Sequence, residues 1–182
     1  MKTLNKAFEM AAVLNLLRVA ICVVAACSFL PSESLGQNWM PANVSNGVWY
    51  AIALSADGSC LAAGMVHDSI YISTDSGTTW APSDAPTKQW TSIACSADGK
   101  SMAAVSLDDD VIYLSTNTGS TWNPVTNGPK RNWLSIASSR DGTKIFAAAD
   151  TDAFLSEDSG IYASTNSGKD WALSDASLAV PW

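Results

Sequence analysis

The sequence predicts an all-β chain built from propeller blades, and three observations carry that prediction. One octapeptide is written three times: Ser73-Thr-Asp-Ser-Gly-Thr-Thr-Trp80, Ser115-Thr-Asn-Thr-Gly-Ser-Thr-Trp122 and Ser164-Thr-Asn-Ser-Gly-Lys-Asp-Trp171. Each copy closes a longer unit that opens on Trp with Ile-Ala three and four residues later: Trp49-Tyr-Ala-Ile-Ala, Trp90-Thr-Ser-Ile-Ala and Trp133-Leu-Ser-Ile-Ala. The openings stand 41 and 43 residues apart, the length of one blade of four antiparallel strands. The expected units cover about 49–89, 90–132 and 133–181.

Each unit resolves into four short strands. In Trp49–Ser55 the small residues Ala51, Ala53 and Ser55 alternate with Tyr50, Ile52 and Leu54. Period two is the mark of a strand, and a small-against-large alternation suits an inner strand crowded near a propeller axis. Ala56-Asp-Gly58, Ala97-Asp-Gly99 and Arg140-Asp-Gly142 follow as hairpin turns, where glycine tolerates positive φ. Second strands are expected at Leu61-Ala-Ala-Gly, Met102-Ala-Ala-Val and Ile145-Phe-Ala-Ala. Third strands are expected at Ile70-Tyr-Ile-Ser, Val111-Ile-Tyr-Leu-Ser and Ile161-Tyr-Ala-Ser. Fourth strands are expected to begin at each closing Trp.

The octapeptide reads as the turn between strands three and four. Asp75, Asn117 and Asn166 are placed to accept turn N–H groups. Gly77, Gly119 and Gly168 take a backbone conformation that a β-carbon opposes. Ser73, Ser115 and Ser164 open the turn, and Trp80, Trp122 and Trp171 return a large ring to the core. These twelve residues are expected to be structural.

The pattern S-x-D-x-G-x-x-W resembles the Asp-box, or BNR repeat, of sialidase-like β-propellers, fully at Ser73–Trp80 and with Asn for Asp in the other copies. The units as a whole resemble WD/YVTN/BNR-like repeats of exported proteins over residues 38–182. The resemblance implies a scaffold more than a chemistry, since Asp boxes lie on the face away from the active site in the enzymes that have one. It also implies that Asn38-Trp39-Met-Pro41 is an orphan fourth strand and Pro181-Trp182 the opening of another unit. Three blades do not close a ring, so either self-association or further blades are expected.

Ahead of the repeats, Val19–Leu30 is a twelve-residue apolar run preceded by Lys2, Lys6 and Arg18 and followed by Ser34-Leu-Gly36. It is too short for a membrane span and has the make-up of a signal-peptide core. Residues 1–36 are therefore expected to be a signal peptide, and 37–182 an exported chain. Val24-Ala-Ala-Cys27 also resembles a lipobox, which would leave a lipid anchor at Cys27, and Met10 offers an alternative start. Of the 10 basic and 17 acidic side chains, 7 and 15 lie beyond residue 36. That acidic balance, without a basic stripe, makes nucleic acid and anionic membrane surfaces poor partner candidates, and no nucleic-acid partner is expected. Two cysteines remain there. Cys60 aligns with Ser101 and Lys144 and is expected to face outward; Cys95 aligns with Leu54 and Ser138, and different facings argue against a disulfide.

Candidate binding residues fall in the loops from strand two to three and from four to one, which share one propeller face: Asp108, Asp109, Asp110, Arg131, Asp150, Asp152, Phe154, Glu157 and Asp158. Phe154 and Leu155 form an apolar pair in an acidic loop, a contact site or a self-burying hairpin. Sialidases resembling these repeats use an arginine cluster, a Tyr/Glu nucleophile pair and an Asp acid. Here Arg131 and Arg140 are the two arginines beyond residue 36, and they are expected on opposite faces. His67 is the one histidine, which leaves no set of histidine ligands for zinc, and Asp150-Thr-Asp152 lacks a calcium-loop framework. No metal, cofactor or phosphate loop is expected. The function expected is a non-catalytic, exported interaction scaffold for an unknown protein or glycan. The alternatives are a fragment or degenerate relative of a sialidase-like glycoside hydrolase, and an assembly factor for a membrane complex.

Overall fold

The computed structural model describes residues 47–150 and 160–174. The chain divides into two units, Met1–Pro41 and Ala42–Trp182, and every described residue belongs to the second. The segment expected as a signal peptide (1–36) with Cys27, the residues expected as an orphan strand (38–41), Trp182, and the loop residues Asp152, Phe154, Leu155, Glu157 and Asp158 lie outside the described residues. Among the described residues no helix is long and apolar enough to cross a membrane.

Twelve strands form three four-stranded antiparallel sheets. Blade 1 holds β1 (Trp49–Leu54), β2 (Leu61–Met65), β3 (Ile70–Ser73) and β4 (Ala81–Pro82). Blade 2 holds β5 (Trp90–Cys95), β6 (Met102–Ser106), β7 (Ile112–Ser115) and β8 (Asn123–Pro124). Blade 3 holds β9 (Asn132–Ser138), β10 (Ile145–Asp150), β11 (Gly160–Ser164) and β12 (Ala172–Leu173). The order within each sheet follows the chain, and the first strands lie side by side, β1 against β5 and β5 against β9. This is a partial propeller of three blades. The fourth strands are two-residue pairings that begin one residue after the closing Trp, because each Trp is still part of the turn: its indole N–H donates back to the turn's own glycine carbonyl.

The core is two seams between blades. The first joins Ala51, Ala53, Ala62 and Ile70 of blade 1 to Trp90, Ile93, Met102, Ala104, Tyr113 and Trp122 of blade 2. The second joins Ala94, Ala103, Val105 and Ile112 of blade 2 to Trp133, Ile136, Ile145, Ala147 and Tyr162 of blade 3. The same repeat positions build both. Each blade therefore turns alanines of its first and second strands and its third-strand Ile to the following blade, and its opening Trp, first-strand Ile and third-strand Tyr to the preceding one. A bulge makes this possible. The pairing register slips between Trp49 and Ala51, between Trp90 and Ser92, and at the matching place in blade 3. The extra residue lets Trp and the Ile three positions later share one face, which strict alternation forbids.

The seams also carry hydrogen bonds. Ala56 N–H donates to Ala97 O at 2.9 Å, and Ala97 N–H to Arg140 O at 2.7 Å, so the three Asp-Gly turns form a ladder across the blades. Ser92 bridges to blade 3, accepting from Ile136 N–H at 3.1 Å.

One expectation is overturned. Cys60 is not outward-facing; it is buried in the first seam, and Cys95 packs against that same seam from blade 2. The alignment with Lys144 misled, because Lys144 occupies this position on blade 3, which no further blade follows among the described residues.

Candidate binding face

The repeated turns build the opposite end of the molecule from the candidate face, and their chemistry is local. Ser73 Oγ accepts Gly77 N–H at 2.9 Å and donates to Asp75 Oδ1 at 2.8 Å. Asp75 then accepts Thr79 N–H at 2.8 Å and the Thr79 hydroxyl at 2.6 Å. Ser115 and Asn117 repeat this with Gly119 and Thr121, and Ser164 and Asn166 with Gly168 and Asp170. Asn suits the third copy because its Nδ2 donates to the Asp170 carboxylate at 2.8 Å. Gly119 and Gly168 have φ of +75° and +83°, and a β-carbon there would strike Ile72 and Leu114 of the preceding blade. Of the three closing rings Trp122 is buried, while Trp80 and Trp171 are half-buried.

Each octapeptide turn is tied to the Asp-Gly turn of its own blade, as in Ser76 N–H to Ser59 O at 3.1 Å. Arg140, in an Asp-Gly turn, thus sits at this end. The Asp57 carboxyl is held down to about 2 by the Ser55 hydroxyl and by Ser59, and Asp141 likewise by Ser139 and Thr143.

The other end gathers the loops after β2 and β6 and the segments that enter β5 and β9. Aspartates here serve the scaffold. Asp109 accepts from Lys88 Nζ at 2.8 Å, from the Tyr113 hydroxyl at 2.8 Å and from the Ser106 hydroxyl at 2.9 Å. Burial pushes its carboxyl up, but the Lys88, Tyr113 and Ser106 donors outweigh it and hold it below the ordinary value. Burial and the Asp109 carboxylate together hold the Tyr113 phenol well above its usual range. Asp108 accepts the backbone N–H of Gln89. The carbonyl of Asp110 accepts the Trp133 indole at 3.0 Å and Arg131 N–H at 3.3 Å.

Arg131 donates Nε–H to the Tyr162 hydroxyl at 2.8 Å and lies over the Tyr162 ring at 5.4 Å. It takes the repeat position of Lys88, two residues before the opening Trp. Asp108, Asp109, Asp110 and Arg131 are thus brought to one end of the blades. Asp150 is exposed at the end of β10, paired in register with Asn132.

Sequence reasoning missed the residues that pin this face. The Trp90 indole donates to Asp68 O at 3.1 Å, as Trp133 does to Asp110 O. Each opening Trp also meets the Tyr of its own third strand edge-on, with centroids 5.3, 5.2 and 5.4 Å apart for Trp49–Tyr71, Trp90–Tyr113 and Trp133–Tyr162. The signal was present in the fixed Trp and Tyr positions of each unit. Asp84 was also missed; it accepts Trp122 N–H at 2.9 Å across the first seam.

Solved structures share this architecture. YCF48 from Cyanidioschyzon merolae is similar at 18% identity and a TM-score of 0.59, over 74% of this chain and 39% of that one. YCF48 bound to D1 peptide is similar at 16% identity and 0.56, over 74% and 46%. The Niastella koreensis GH74 enzyme is similar at 23% and 0.55, over 74% and 19%. The chain spans less than half the length of each. No curated protein matches it. The Sortilin-Vps10 family, described as sortilin and neurotensin receptor 3, matches residues 68–180, more than half of the sequence. By that match, and with the blades just described, the chain belongs to the Sortilin-Vps10 family.

Proposed function

We propose that this chain is a non-catalytic propeller module that binds a protein, peptide or glycan on the face carrying Asp108, Asp110, Arg131 and Asp150. The observation that carries the reading is the use of Asp109. Its two oxygens are taken by Lys88, Tyr113 and Ser106, so this half-buried carboxylate fastens a loop instead of standing ready for a proton transfer. Glycoside hydrolysis needs two carboxyl groups facing one bond. A face of pinned loops with exposed charge is suited to recognition. YCF48 with its D1 peptide supports a peptide ligand, and the GH74 likeness supplies the competing reading. We read the three serine-capped turns as Asp-box repeats on their shared hydrogen-bond pattern, and residues 1–36 as an export signal on their composition.

The test is a panel of aryl glycosides incubated with the purified chain. No product release is expected. Release that is lost in the Asp150→Asn variant would contradict the proposal.

A further inference from the structure

We propose that Cys60 and Cys95 are a disulfide-forming pair that staples blade 1 to blade 2. Both are free thiols, and both belong to the first seam, Cys60 from the blade-1 side and Cys95 from the blade-2 side. Cys60 lies just before β2, with its Sγ 3.8 Å from Gly99 O on the neighbouring blade. Cys95 ends β5, four residues before that glycine.

The second seam shows how these two positions meet. There the repeat places Ser101 where Cys60 stands and Ser138 where Cys95 stands. Ser101 and Ser138 line one small cavity, together with Met102, Leu114, Gly142 and Ile145. The frame around the two positions is the same in both seams. A β-carbon on Gly99 would come within 2.8 Å of Cys60 Cβ, and one on Gly142 within 2.8 Å of Ser101 Cβ. Cys60 and Cys95 therefore hold, on the blade-1 and blade-2 sides of the first seam, the two positions that share a cavity in the second. Burial and the nearby Cys60 push the Cys95 thiol up to about 11, and burial raises Cys60 as well. Both thiols react as thiolates, so these upward shifts slow their oxidation at neutral pH.

The chemistry needs a disulfide oxidant, such as oxidised glutathione or a thiol–disulfide oxidoreductase. Cys95, the less buried of the two, attacks as thiolate and expels one glutathione thiolate, leaving a mixed disulfide. Cys60 thiolate then displaces the second glutathione, closing Cys60–Cys95. Two thiol protons and two electrons leave the protein, and one glutathione disulfide becomes two glutathione thiols. An oxidising compartment, the one expected of an exported chain, holds such an oxidant.

The full chain is incubated with oxidised glutathione at rising pH, and free thiols are then alkylated. The expected result under non-reducing digestion is a linked Cys60–Cys95 peptide, about 2 Da lighter than its two reduced halves together and without alkylation at either residue. Cross-linking speeds up as pH rises towards 11. The melting temperature rises by roughly 5–10 °C and reverts with dithiothreitol. Cys60→Ser and Cys95→Ser each abolish the link, and both should fold because the second seam carries serine at both positions. Ser101→Cys with Ser138→Cys places a second pair by the same repeat operation and should cross-link too. Full alkylation of both thiols after oxidation, or disulfides only between molecules, would overturn the proposal; so would failure of the Ser101→Cys/Ser138→Cys pair to close.

Discussion

Ile52, Ile93 and Ile136 hold one repeat position and have unlike surroundings. Ile93 and Ile136 are 6% and 5% exposed, whereas Ile52 is 66% exposed. The last two face a preceding blade, and Ile52 faces none among the described residues. At the other end, Ala62 and Ala103 are 0% and 1% exposed, while Phe146 in the same position is 42% exposed. The contrast teaches that a residue's burial here belongs to the seam and not to the blade. One blade supplies half of a core, as in other repeat architectures where each unit is completed by its neighbour. The two open faces are also not copies of a closed seam. Phe146 and Lys144 stand where the first seam has Ala62 and Cys60, and Leu54 stands where it has Cys95. Any blade or second copy seated there has to accommodate larger side chains than the existing seams hold.

The largest separation between seam and open face should come from the closing tryptophans. Trp122→Ala empties a buried site and leaves the Gly119 carbonyl without its indole donor, so a loss of about 3–5 kcal/mol is expected in urea unfolding. Trp80→Ala, in the same repeat position beside an open face, should cost about 1–2 kcal/mol. Equal losses would place Trp80 in a seam.

A smaller effect separates the second and third turns. Asn166→Asp sets a carboxylate against Asp170 and should cost about 1 kcal/mol. Asn117→Asp should be nearly neutral, because Thr121 can donate as Thr79 donates to Asp75. Thermal melts of the two variants check this. A matching loss in both would mean that the seventh residue of the octapeptide, Thr121 or Asp170, does not choose between Asn and Asp.

The smallest effect is in acid. The Thr79 side chain and backbone and the Ser73 hydroxyl hold the Asp75 carboxyl at about 2 instead of 3.8. A folded-state value below the unfolded one stabilises above the unfolded value, and that contribution is lost as pH falls from about 4 to about 2. Wild type should therefore lose melting temperature across that window more steeply than Asp75→Asn. Parallel curves would mean that the Asp75 hydrogen bonds do not favour its ionised form.

Strands, turns and octapeptide chemistry were legible because they are local. Period two, Asp-Gly and the Ser/Asx pair act within a few residues of themselves. The facing of the seams was not legible, because it depends on the bulge at Tyr50, Thr91 and Leu134, whose side chains differ and announce nothing. Cys60 was misplaced for the same reason, its aligned partners being judged from Lys144 on an open face. On the candidate face the acidic loop residues could be named. Their occupation by Lys88 and Gln89 could not, since the Lys88–Asp109 and Gln89–Asp108 contacts join different blade elements, the latter across 19 residues.

The account rests on the seam being the unit of stability, and paired isoleucine truncations measure that directly. Ile93→Ala and Ile52→Ala remove the same atoms from the same repeat position. Urea unfolding at low protein concentration should show a loss of about 2–4 kcal/mol for Ile93→Ala and under about 1 kcal/mol for Ile52→Ala. Equal losses would contradict the account, because the two positions would then be buried alike and the blades would not owe their cores to one another.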